Sequence, residues 1–326
     1  MIVINDFALF EPWYLRNEFR PSENGLDHQT LALAFSRCQS KTLQYVLSAI
    51  PPSLASSIST TNTTTASEDE KLSAELQVVG VYFWDLVYRK YPAEYDEFCR
   101  YQHYEFDQLF PAARYRGAEV LEMGCGTGKL TEHILPHARR VFAVDAVAQM
   151  ITMARRKFAN EPRLSFIVAD LRDLPFRDNS VDHIVSNLAF RYGGAKNGVA
   201  VLERLRLIVR AGGEIRMTVG NVLSQDLLVS QGFKEIFRPR GLRYDVPANA
   251  SIIGRCLYEL AVRSIRNANE AATPEKRHYM CSAQRWSLRW SLHNLLAARQ
   301  EPWHFLFYGG RFRSPIGMPV YQWTKA

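Results

Sequence analysis

From residue 118 onwards, short apolar runs alternate with longer amphipathic stretches, and the two patterns predict different elements. The apolar runs predict five strands, over residues 118–124, 139–146, 164–170, 181–190 and 213–220. The amphipathic stretches have apolar residues at helical intervals and predict helices over residues 130–138, 148–159 and 200–210. Strands that alternate with helices at this spacing build βαβ units. The pattern therefore predicts an α/β fold with a mostly parallel sheet covered by helices on both faces.

Upstream of these elements the pattern is helical and falls into three parts. Residues 1–52 have helical spacing but are too few to bury a sizeable core alone, so we expect a helical appendage. Residues 53–68 are almost all Ser, Thr, Ala and Asn and predict a flexible linker. Residues 69–117 predict a helical lid, since Ser67 and Glu70, at the start of this segment, have the spacing of a capping box.

Aromatic residues are concentrated in this predicted lid. Pro92 is expected to open a helix that continues through residue 110. Four tyrosines lie on this helix or beside it: Tyr91, Tyr95, Tyr101 and Tyr104. Two interpretations stay open, because such residues either form a core-facing stripe or close over a small-molecule site.

The length of 326 residues and the composition describe a globular protein. Hydrophobic residues make up 47% of the chain, which argues against the disordered and fibrous classes. No apolar run reaches the roughly 18 residues that span a bilayer, and the N-terminal stretch lacks the positive start of a secretory signal. The five cysteines include no C-x-x-C pair, which predicts a reduced, cytoplasmic location and no metal site.

The net charge of +7 is concentrated at the C-terminal end of the chain. Residues 231–326 hold 15 Lys and Arg against 6 Asp and Glu, whereas residues 1–117 are net acidic. Within the basic region, Arg285 and Arg289 lie one helical turn apart beside two tryptophans. A basic, aromatic surface can bind an anionic small molecule, an acidic carrier protein or RNA. We rank nucleic acid low because no known RNA-binding module accompanies the basic residues.

A glycine-rich loop, E-M-G-C-G-T-G-K at residues 122–129, follows the first predicted strand. It is not a phosphate-binding P-loop, because Leu130 stands where that motif needs Ser or Thr. It is not the dinucleotide fingerprint G-x-G-x-x-G, because neither Gly124 nor Gly126 has a glycine five residues later. The acidic Glu122 would repel a pyrophosphate but suits a positively charged ligand, such as the sulfonium and ammonium groups of S-adenosylmethionine.

At this loop the sequence resembles the class I S-adenosylmethionine-dependent methyltransferase family, and the resemblance runs in order over residues 118–236. It implies a Rossmann-like, doubly wound, mostly parallel seven-stranded sheet with S-adenosylmethionine as cofactor. The run L-P-F-x-D-x-S-x-D at residues 174–182 is similar to that of quinone-biosynthesis C-methyltransferases. The resemblance implies cofactor-binding roles for twelve residues: Glu122, Gly124, Cys125, Gly126, Gly128, Asp145, Ala146, Met150, Asp170, Leu171, Asn187 and Leu188.

The resemblance also implies what several of these residues do. Asp145, at the end of the second strand, would accept hydrogen bonds from both ribose hydroxyls, and Met150 would pack against the adenine. Asp170 would accept from the adenine amino group, and Leu171 would donate its backbone N–H. Residues 186–190 would position the substrate and the methionine end of the cofactor.

The catalytic residue cannot be assigned from the sequence, because transfer from an activated sulfonium depends mainly on alignment and exclusion of water. Three candidates lie in the aromatic segment: His103, Tyr95 and Tyr101. We interpret Cys125 as a small residue chosen for space rather than as a nucleophile.

The acceptor should be bound outside the common core. Residues 237–326 predict a helical cap inserted before a final strand at residues 304–308. The cap helices either wall a substrate pocket or form a homodimer interface. We expect a methyltransferase that acts on a small molecule, anionic or not, in specialised or cofactor metabolism. An RNA or protein methyltransferase, and a non-catalytic scaffold subunit, are the alternatives.

Overall fold

The computed structural model describes most of the chain, in several stretches. The described residues are 3–17, 19, 21, 26–100, 102–190, 196–219, 222–239, 243–245, 311–313 and 319–326. They fall into two compact units, which we describe separately. The first unit is described within residues 3–98, and the second within residues 99–245 and 311–326. The basic segment 246–310, including Arg285, Arg289 and the predicted strand 304–308, lies outside the described residues.

The first unit is helical, as the sequence predicts for the N-terminal appendage. Its α-helices are α1 (Pro12–Asn17), α2 (His28–Phe35), α3 (Ser40–Ala49), α4 (Pro52–Thr60), α5 (Glu68–Val81), α6 (Phe83–Lys90) and the start of α7 (Pro92–Arg100). The fully buried ring of Phe7 lies at the centre of an aromatic cluster. Four rings pack edge-on against it at centroid distances of 5.1–5.8 Å: Phe10, Phe19, Phe35 and Tyr82.

The predicted flexible linker is partly wrong, because α4 covers residues 52–60. Pro52 starts the helix, where its missing N–H costs nothing, and Ile58 is buried. The serine and threonine hydroxyls donate to backbone carbonyls four residues earlier, as in the bond from Ser57 Oγ to the Ser53 oxygen at 3.0 Å. A composition that suits a loop therefore also folds as a helix once one apolar residue is buried.

The structure agrees with the predicted helical lid at its start and differs from it further along the chain. The capping box is confirmed, since Glu70 N donates to Ser67 Oγ and Ser67 N donates to the Glu70 carboxylate at the start of α5. The helix predicted from Pro92 through residue 110 is wrong, because α7 ends at Arg100. A two-residue strand β1 (Gln102–His103) and a short helix α8 (Phe106–Leu109) follow it.

The second unit confirms the predicted α/β architecture. A seven-stranded sheet has the order β4-β3-β2-β5-β6-β10-β7, and every strand is parallel except β10. Its strands are β2 (Glu119–Met123), β3 (Arg140–Asp145), β4 (Leu164–Val168), β5 (Val181–Asn187), β6 (Val209–Thr218), β7 (Lys234–Phe237) and β10 (Val320–Thr324). The intervening helices are α9 (Lys129–Ile134), α10 (Ala148–Lys157), α11 (Lys196–Ile208) and α12 (Val222–Ser230). This is the doubly wound, Rossmann-like arrangement that the sequence predicts.

Two boundaries differ from the prediction at the C-terminal side of the sheet. The helix α11 ends at Ile208, two residues earlier than predicted, and β6 begins directly at Val209. The Lys325 ammonium explains this end, because it donates to the carbonyl oxygens of Arg206 and Val209, each at 2.8 Å. A cation at a helix C-terminus satisfies carbonyls that have no partner within the helix.

A small antiparallel sheet completes the second unit. It has the strand order β1-β8-β9, where β8 is Arg243–Asp245 and β9 is Arg311–Arg313. β8 follows β7 along the chain and β9 precedes β10, so this sheet joins segments far apart in sequence.

In the described stretches, no helix is both long enough and apolar enough to cross a membrane. Among the cysteines described there, Cys38 and Cys125 are free thiols.

Candidate functional site

The glycine-rich loop lies at the carboxyl edge of the seven-stranded sheet, the edge at which its parallel strands end. It connects Met123, the last residue of β2, to the start of α9. Gly124, Gly126 and Gly128 all have positive φ, at 63°, 54° and 90°. A Cβ on Gly124 would stand 2.0 Å from the Ala189 Cβ, so the close packing of the two segments requires glycine.

Asp145 holds this loop in place. Its carboxylate accepts hydrogen bonds from Gly126 N and from Val147 N, each at 2.9 Å. The loop is also tied to β3 by the bond from Cys125 N to the Val144 oxygen at 3.0 Å. The predicted ribose-binding residue therefore lies next to the glycine loop. Each of its two oxygens accepts one backbone N–H.

Glu122 is almost completely buried beneath the loop, with 2% of its surface exposed. The Thr131 hydroxyl donates to its Oε2 at 2.5 Å. Burial, together with the negative charge of Asp145, raises the pKa of Glu122 to about 8, against the opposing effect of the Thr131 bond. The sequence identified Glu122 but not Thr131, which lies on the first turn of α9.

Thr127 is a loop residue that the sequence analysis missed. It is 2% exposed, and its Oγ1 has no hydrogen-bond partner among the described residues. A buried hydroxyl without a partner is costly unless a ligand or water pairs with it. Nothing in the local sequence distinguishes this threonine from one that pairs within the protein.

Asn187 and Leu188 lie where β5 ends, and Thr218 of β6 fixes both. The Thr218 hydroxyl donates to Asn187 Oδ1 at 2.8 Å and accepts from Leu188 N at 3.0 Å. Leu188 has a φ of 62°, a left-handed conformation that is strained for a residue with a side chain. Strain of this kind persists where surrounding bonds impose it, and it is common at functional sites. Thr218 is a second residue that the sequence analysis missed.

The predicted adenine-binding residues differ from one another in burial and in hydrogen bonding. Met150 is buried, with 1% exposed, on α10. Ala146 and Leu171 are half-buried. The Asp170 carboxylate accepts from Arg172 N at 2.9 Å and forms an ion pair with the Arg172 guanidinium. An adenine amino group would therefore share Asp170 with this arginine.

The three catalytic candidates do not lie in one described part of the structure. Tyr95 lies in the first unit on α7, and Tyr101 lies outside the described residues. His103 lies on β1 of the second unit rather than on the helix that the sequence predicts. Cys125 is 5% exposed, and burial raises the pKa of its thiol well above the ordinary value, which agrees with its interpretation as a small packing residue.

Residues 120–213, which contain this loop and its supporting strands, match the family model described as a methyltransferase domain. Over these residues the chain is similar to methyltransferase domains, in agreement with the resemblance that the sequence analysis describes. The methyltransferase domain thus covers β2 to the start of β6, and the described contacts to Asp145 and Glu122 all fall within it.

Curated methyltransferases match about a third of the chain. The malonyl-[acyl-carrier protein] O-methyltransferase of Pectobacterium atrosepticum is 33% identical over 124 residues, which are 37% of this chain and 46% of the relative. The demethylmenaquinone methyltransferase of Clavibacter sepedonicus is 30% identical over 118 residues, which are 33% of this chain and 46% of the relative. The chain therefore spans less than half the length of these relatives. A solved S-adenosylmethionine-dependent methyltransferase from Listeria monocytogenes is 21% identical, with a TM-score of 0.32, over 36% of this chain and 53% of its own.

S-adenosylmethionine is the cofactor that the sequence resemblance implies for a methyltransferase domain, and the residues present fit it. The positive φ of its three glycines lets the loop turn sharply at the end of β2, and the Asp145 carboxylate lies beside it, bonded to Gly126 N. The buried Thr127 hydroxyl still needs a partner, and a cationic ligand near Glu122 would lower the pKa of that carboxyl and favour its charged form. A cationic sulfonium suits this donor and acceptor set better than a pyrophosphate does.

Proposed function

We propose that the whole chain is a methyltransferase that transfers a methyl group from S-adenosylmethionine to a small-molecule acceptor, in specialised or cofactor metabolism. The observation that supports this most is the bond between the Asp145 carboxylate and Gly126 N, which joins the end of β3 to the glycine loop. A carboxylate in that position can bind the ribose hydroxyls of a nucleoside whose positively charged end lies along the loop.

The chain's own residues supply binding and alignment. S-adenosylmethionine, when bound, supplies a methyl group activated by the sulfonium. Asp145 binds the ribose, and a cationic group bound near Glu122 lowers the pKa of that carboxyl and so favours its charged form. Asn187 and Leu188, fixed by Thr218, form the rigid end of β5 beside the reacting group. Rigid placement of both reactants lowers the barrier because it removes orientational freedom before reaction.

The assignment of a small-molecule acceptor rests on the kind of relatives that match. The malonyl-[acyl-carrier protein] and demethylmenaquinone methyltransferases share about a third of this chain. Their acceptors are a carrier-bound acid and a quinone, and neither protein's name refers to a nucleic acid. We extend this acceptor class, but not either individual acceptor, to the present chain.

A two-step experiment tests the proposal. The first step titrates the full chain with S-adenosylhomocysteine in a calorimeter, and we expect saturable binding at one site per chain. The second step incubates the protein with methyl-labelled S-adenosylmethionine and a cell extract, then separates small molecules, RNA and protein. We expect label in the small-molecule fraction, with Asp145→Ala as the matched inactive control.

Each step can contradict a different part of the proposal. Failure to bind S-adenosylhomocysteine would overturn the methyltransferase assignment for the whole chain. Binding with label in RNA, or in protein that keeps the label after carrier thioesters are cleaved with neutral hydroxylamine, would keep the cofactor and overturn the acceptor class. Binding without transfer to any fraction would favour a non-catalytic scaffold.

A further inference from the structure

The seven-stranded sheet ends on one side at β4, and no described strand pairs with the outer side of β4. The Arg163 oxygen accepts from β3 at 2.8 Å, and Ala169 N donates to β3 at 3.1 Å. The odd-numbered residues of this stretch therefore bond to β3, since alternate residues of a strand direct their backbone groups to the same side. The backbone N–H and C=O groups of Leu164, Phe166 and Val168 face the outer edge.

β4 lacks the features that usually protect such an edge. Its five residues, Leu164–Val168, include no charged residue and no proline, and its register with β3 runs without a bulge. Val168, at its end, is 50% exposed. An apolar strand with outward backbone groups is a template for another extended segment, which can add to the sheet through main-chain hydrogen bonds.

A groove lies beside this edge, on the face of β4 that carries the side chains of Leu164 and Phe166. Its volume is about 490 Å³, and its walls are these two side chains, Arg155 and the loop that follows α10. The Phe158 ring in that loop lies 6.1 Å from the Phe166 ring, between centroids, and a Cβ on Gly128 would stand 2.5 Å from it. The aromatic wall is thus held by packing on both sides. In an added strand alternate side chains point to this face, so an apolar one can enter the groove.

Positive charge surrounds the groove and the edge. Residues 155–168 hold four Lys and Arg against one acidic residue, Glu161, which gives a net charge of +3. Glu161 is itself paired with Arg163 at 3.0 Å. This surplus favours an acidic partner. It disfavours a second copy of the chain, because pairing of two β4 edges would bring the same cations together.

Two exposed arginines reach β4 from its two faces. Arg155, on the groove face, donates to the Phe166 oxygen at 3.1 Å. Arg140 donates to the Ser165 hydroxyl at 3.3 Å, on the other face. A strand added to the edge donates its own N–H to the Phe166 oxygen and so replaces the Arg155 bond. The released guanidinium can then pair with a carboxylate of the added segment.

We propose that the edge of β4 and its groove bind an extended, acidic segment of a partner protein, which adds to the sheet as a further strand. The outward backbone groups bond to the main chain of the segment, the groove takes one apolar side chain, and Arg140 and Arg155 pair with acidic side chains. A nucleic acid would satisfy the arginines but has no amide backbone to bond to the edge. This partner site is additional to the proposed methyl transfer and does not require it.

Three fluorescein-labelled peptide amides test the proposal by fluorescence anisotropy with the full chain. The first, E-E-V-E-F-E-V-E-E, has an apolar centre on one face and acidic residues on both. The second, K-K-V-K-F-K-V-K-K, reverses the charge, and the third, E-E-V-E-P-E-V-E-E, has a central proline that disfavours strand pairing. We expect saturable binding of the first peptide, and affinities at least about tenfold weaker for the other two.

Substitutions at the edge identify the binding surface. Val168→Pro removes an outward N–H and no bond to β3, and Arg155→Gln removes a charge that faces the groove. Each should weaken binding of the first peptide by at least about fivefold. Val168→Thr keeps the N–H, and Arg238→Gln removes an exposed arginine beside β7 at the opposite edge of the sheet. These two controls should keep the affinity within about twofold. Arg155→Gln changes an exposed side chain, so it tests the surface even if the proline variant does not fold.

Amide hydrogen exchange, followed by nuclear magnetic resonance, shows whether the peptide adds as a strand. The N–H groups of Phe166 and Val168 should exchange at least about tenfold more slowly when the first peptide is bound. The N–H of Ile167, which bonds to β3, is the internal reference and should change by less than about twofold.

Several results would overturn the proposal. They are failure of the first peptide to bind, equal affinity for the other two peptides, or unchanged exchange at Phe166 and Val168. Slow exchange at these amides without peptide would show that the edge is already covered, by a second copy if light scattering gives a dimer and by the chain itself if it gives a monomer. A ten-nucleotide single-stranded RNA that binds tighter than the first peptide, and loses affinity in Arg155→Gln but not in Val168→Pro, would replace the protein partner with a nucleic acid.

Discussion

The carboxylate of Asp145 accepts a hydrogen bond from the backbone N–H of Gly126, at 2.9 Å, and thereby joins the end of β3 to the glycine-rich loop. The same carboxylate accepts from Val147 N at the start of the following helix. One side chain thus fixes the two backbone segments between which the nucleoside of the cofactor is proposed to bind. Loop order and ligand binding therefore depend on a single group.

Replacement of Asp145 by alanine should weaken binding of S-adenosylhomocysteine by roughly 1–3 kcal/mol, because charge-assisted bonds to the ribose hydroxyls are lost. Calorimetric titration of the purified variant measures the change. Asp173→Ala is the control, since Asp173 is an exposed aspartate of the loop after β4. Equal affinity in wild type and Asp145→Ala would show that another residue binds the ribose.

The buried Glu122 makes the stability of the ligand-free protein depend on pH. Burial raises the pKa of Glu122 to about 8, above its ordinary value of 4.5, so the folded protein binds the proton more tightly than the unfolded chain. This contribution is fully present below pH 4.5 and is lost as the pH rises towards about 8. A single group of this kind changes the free energy of unfolding by up to about 1.4 kcal/mol per pH unit.

Urea unfolding between pH 5 and pH 9 measures this effect, and Glu122→Gln should flatten the fall in stability. Glu132 is an exposed glutamate of α9, and Glu132→Gln should leave the fall in stability in place. A fall of the same slope in wild type and Glu122→Gln would mean that other groups produce it.

The sequence predicts the sheet well where a strand is buried on both faces. Val120, Leu121 and Met123 are fully buried in β2, so they form an apolar run that local pattern detects. β3 and β5 are likewise detected by their apolar runs. The glycine-rich loop is detected by its three glycines. Asp145 was identified for the same reason, because it ends a recognisable strand.

Elements that depend on distant pairing could not be predicted. β1 has two residues and exists because it pairs with β8, about 140 residues later. Thr127, Thr131 and Thr218 matter through bonds, or the lack of one, that appear only when α9, β2, β5 and β6 are placed together. No sequence spacing distinguishes a threonine that hydrogen-bonds in the site from a threonine that only packs in the core.

The positive φ of Gly124 is expected to matter less than the space around it. Gly124→Ala introduces a Cβ 2.0 Å from the Ala189 Cβ, whereas Gly117→Ala introduces a Cβ with nothing within 4 Å. Both glycines have positive φ, 63° and 71°. We expect Gly117→Ala to cost about 1–2 kcal/mol and Gly124→Ala to cost about 1–3 kcal/mol more, because overpacking adds to strain.

Urea unfolding of the two glycine variants measures this difference, and calorimetry shows whether binding follows it. Gly124→Ala should lose affinity for S-adenosylhomocysteine, while Gly117→Ala, outside the site, should retain it. Equal destabilisation in the two variants would mean that the β2 loop moves away from Ala189 without cost.

A buried polar cluster at the opposite end of the sheet has no assigned function. His183 of β5 and Glu214 of β6 are cross-strand partners, and His183 Nδ1 lies 3.6 Å from Glu214 Oε1. Both atoms are buried without a hydrogen-bond partner in the described part of the chain, as is the Tyr115 hydroxyl. The Tyr115 ring packs edge-on against the His183 ring at 5.5 Å, and Arg114 pairs with the other Glu214 oxygen at 2.9 Å.

Burial lowers the pKa of His183, against the opposing charges of Glu214 and Asp182, and Arg114 lowers it further. The folded protein therefore favours neutral His183, and its contribution to stability is present above pH 6.5 and lost as the pH falls below that value. Urea unfolding between pH 5 and pH 8 should show this acid sensitivity, and His183→Gln should reduce it. His137→Gln is the exposed histidine control. Acid sensitivity that is unchanged in His183→Gln would mean that groups other than His183 produce it.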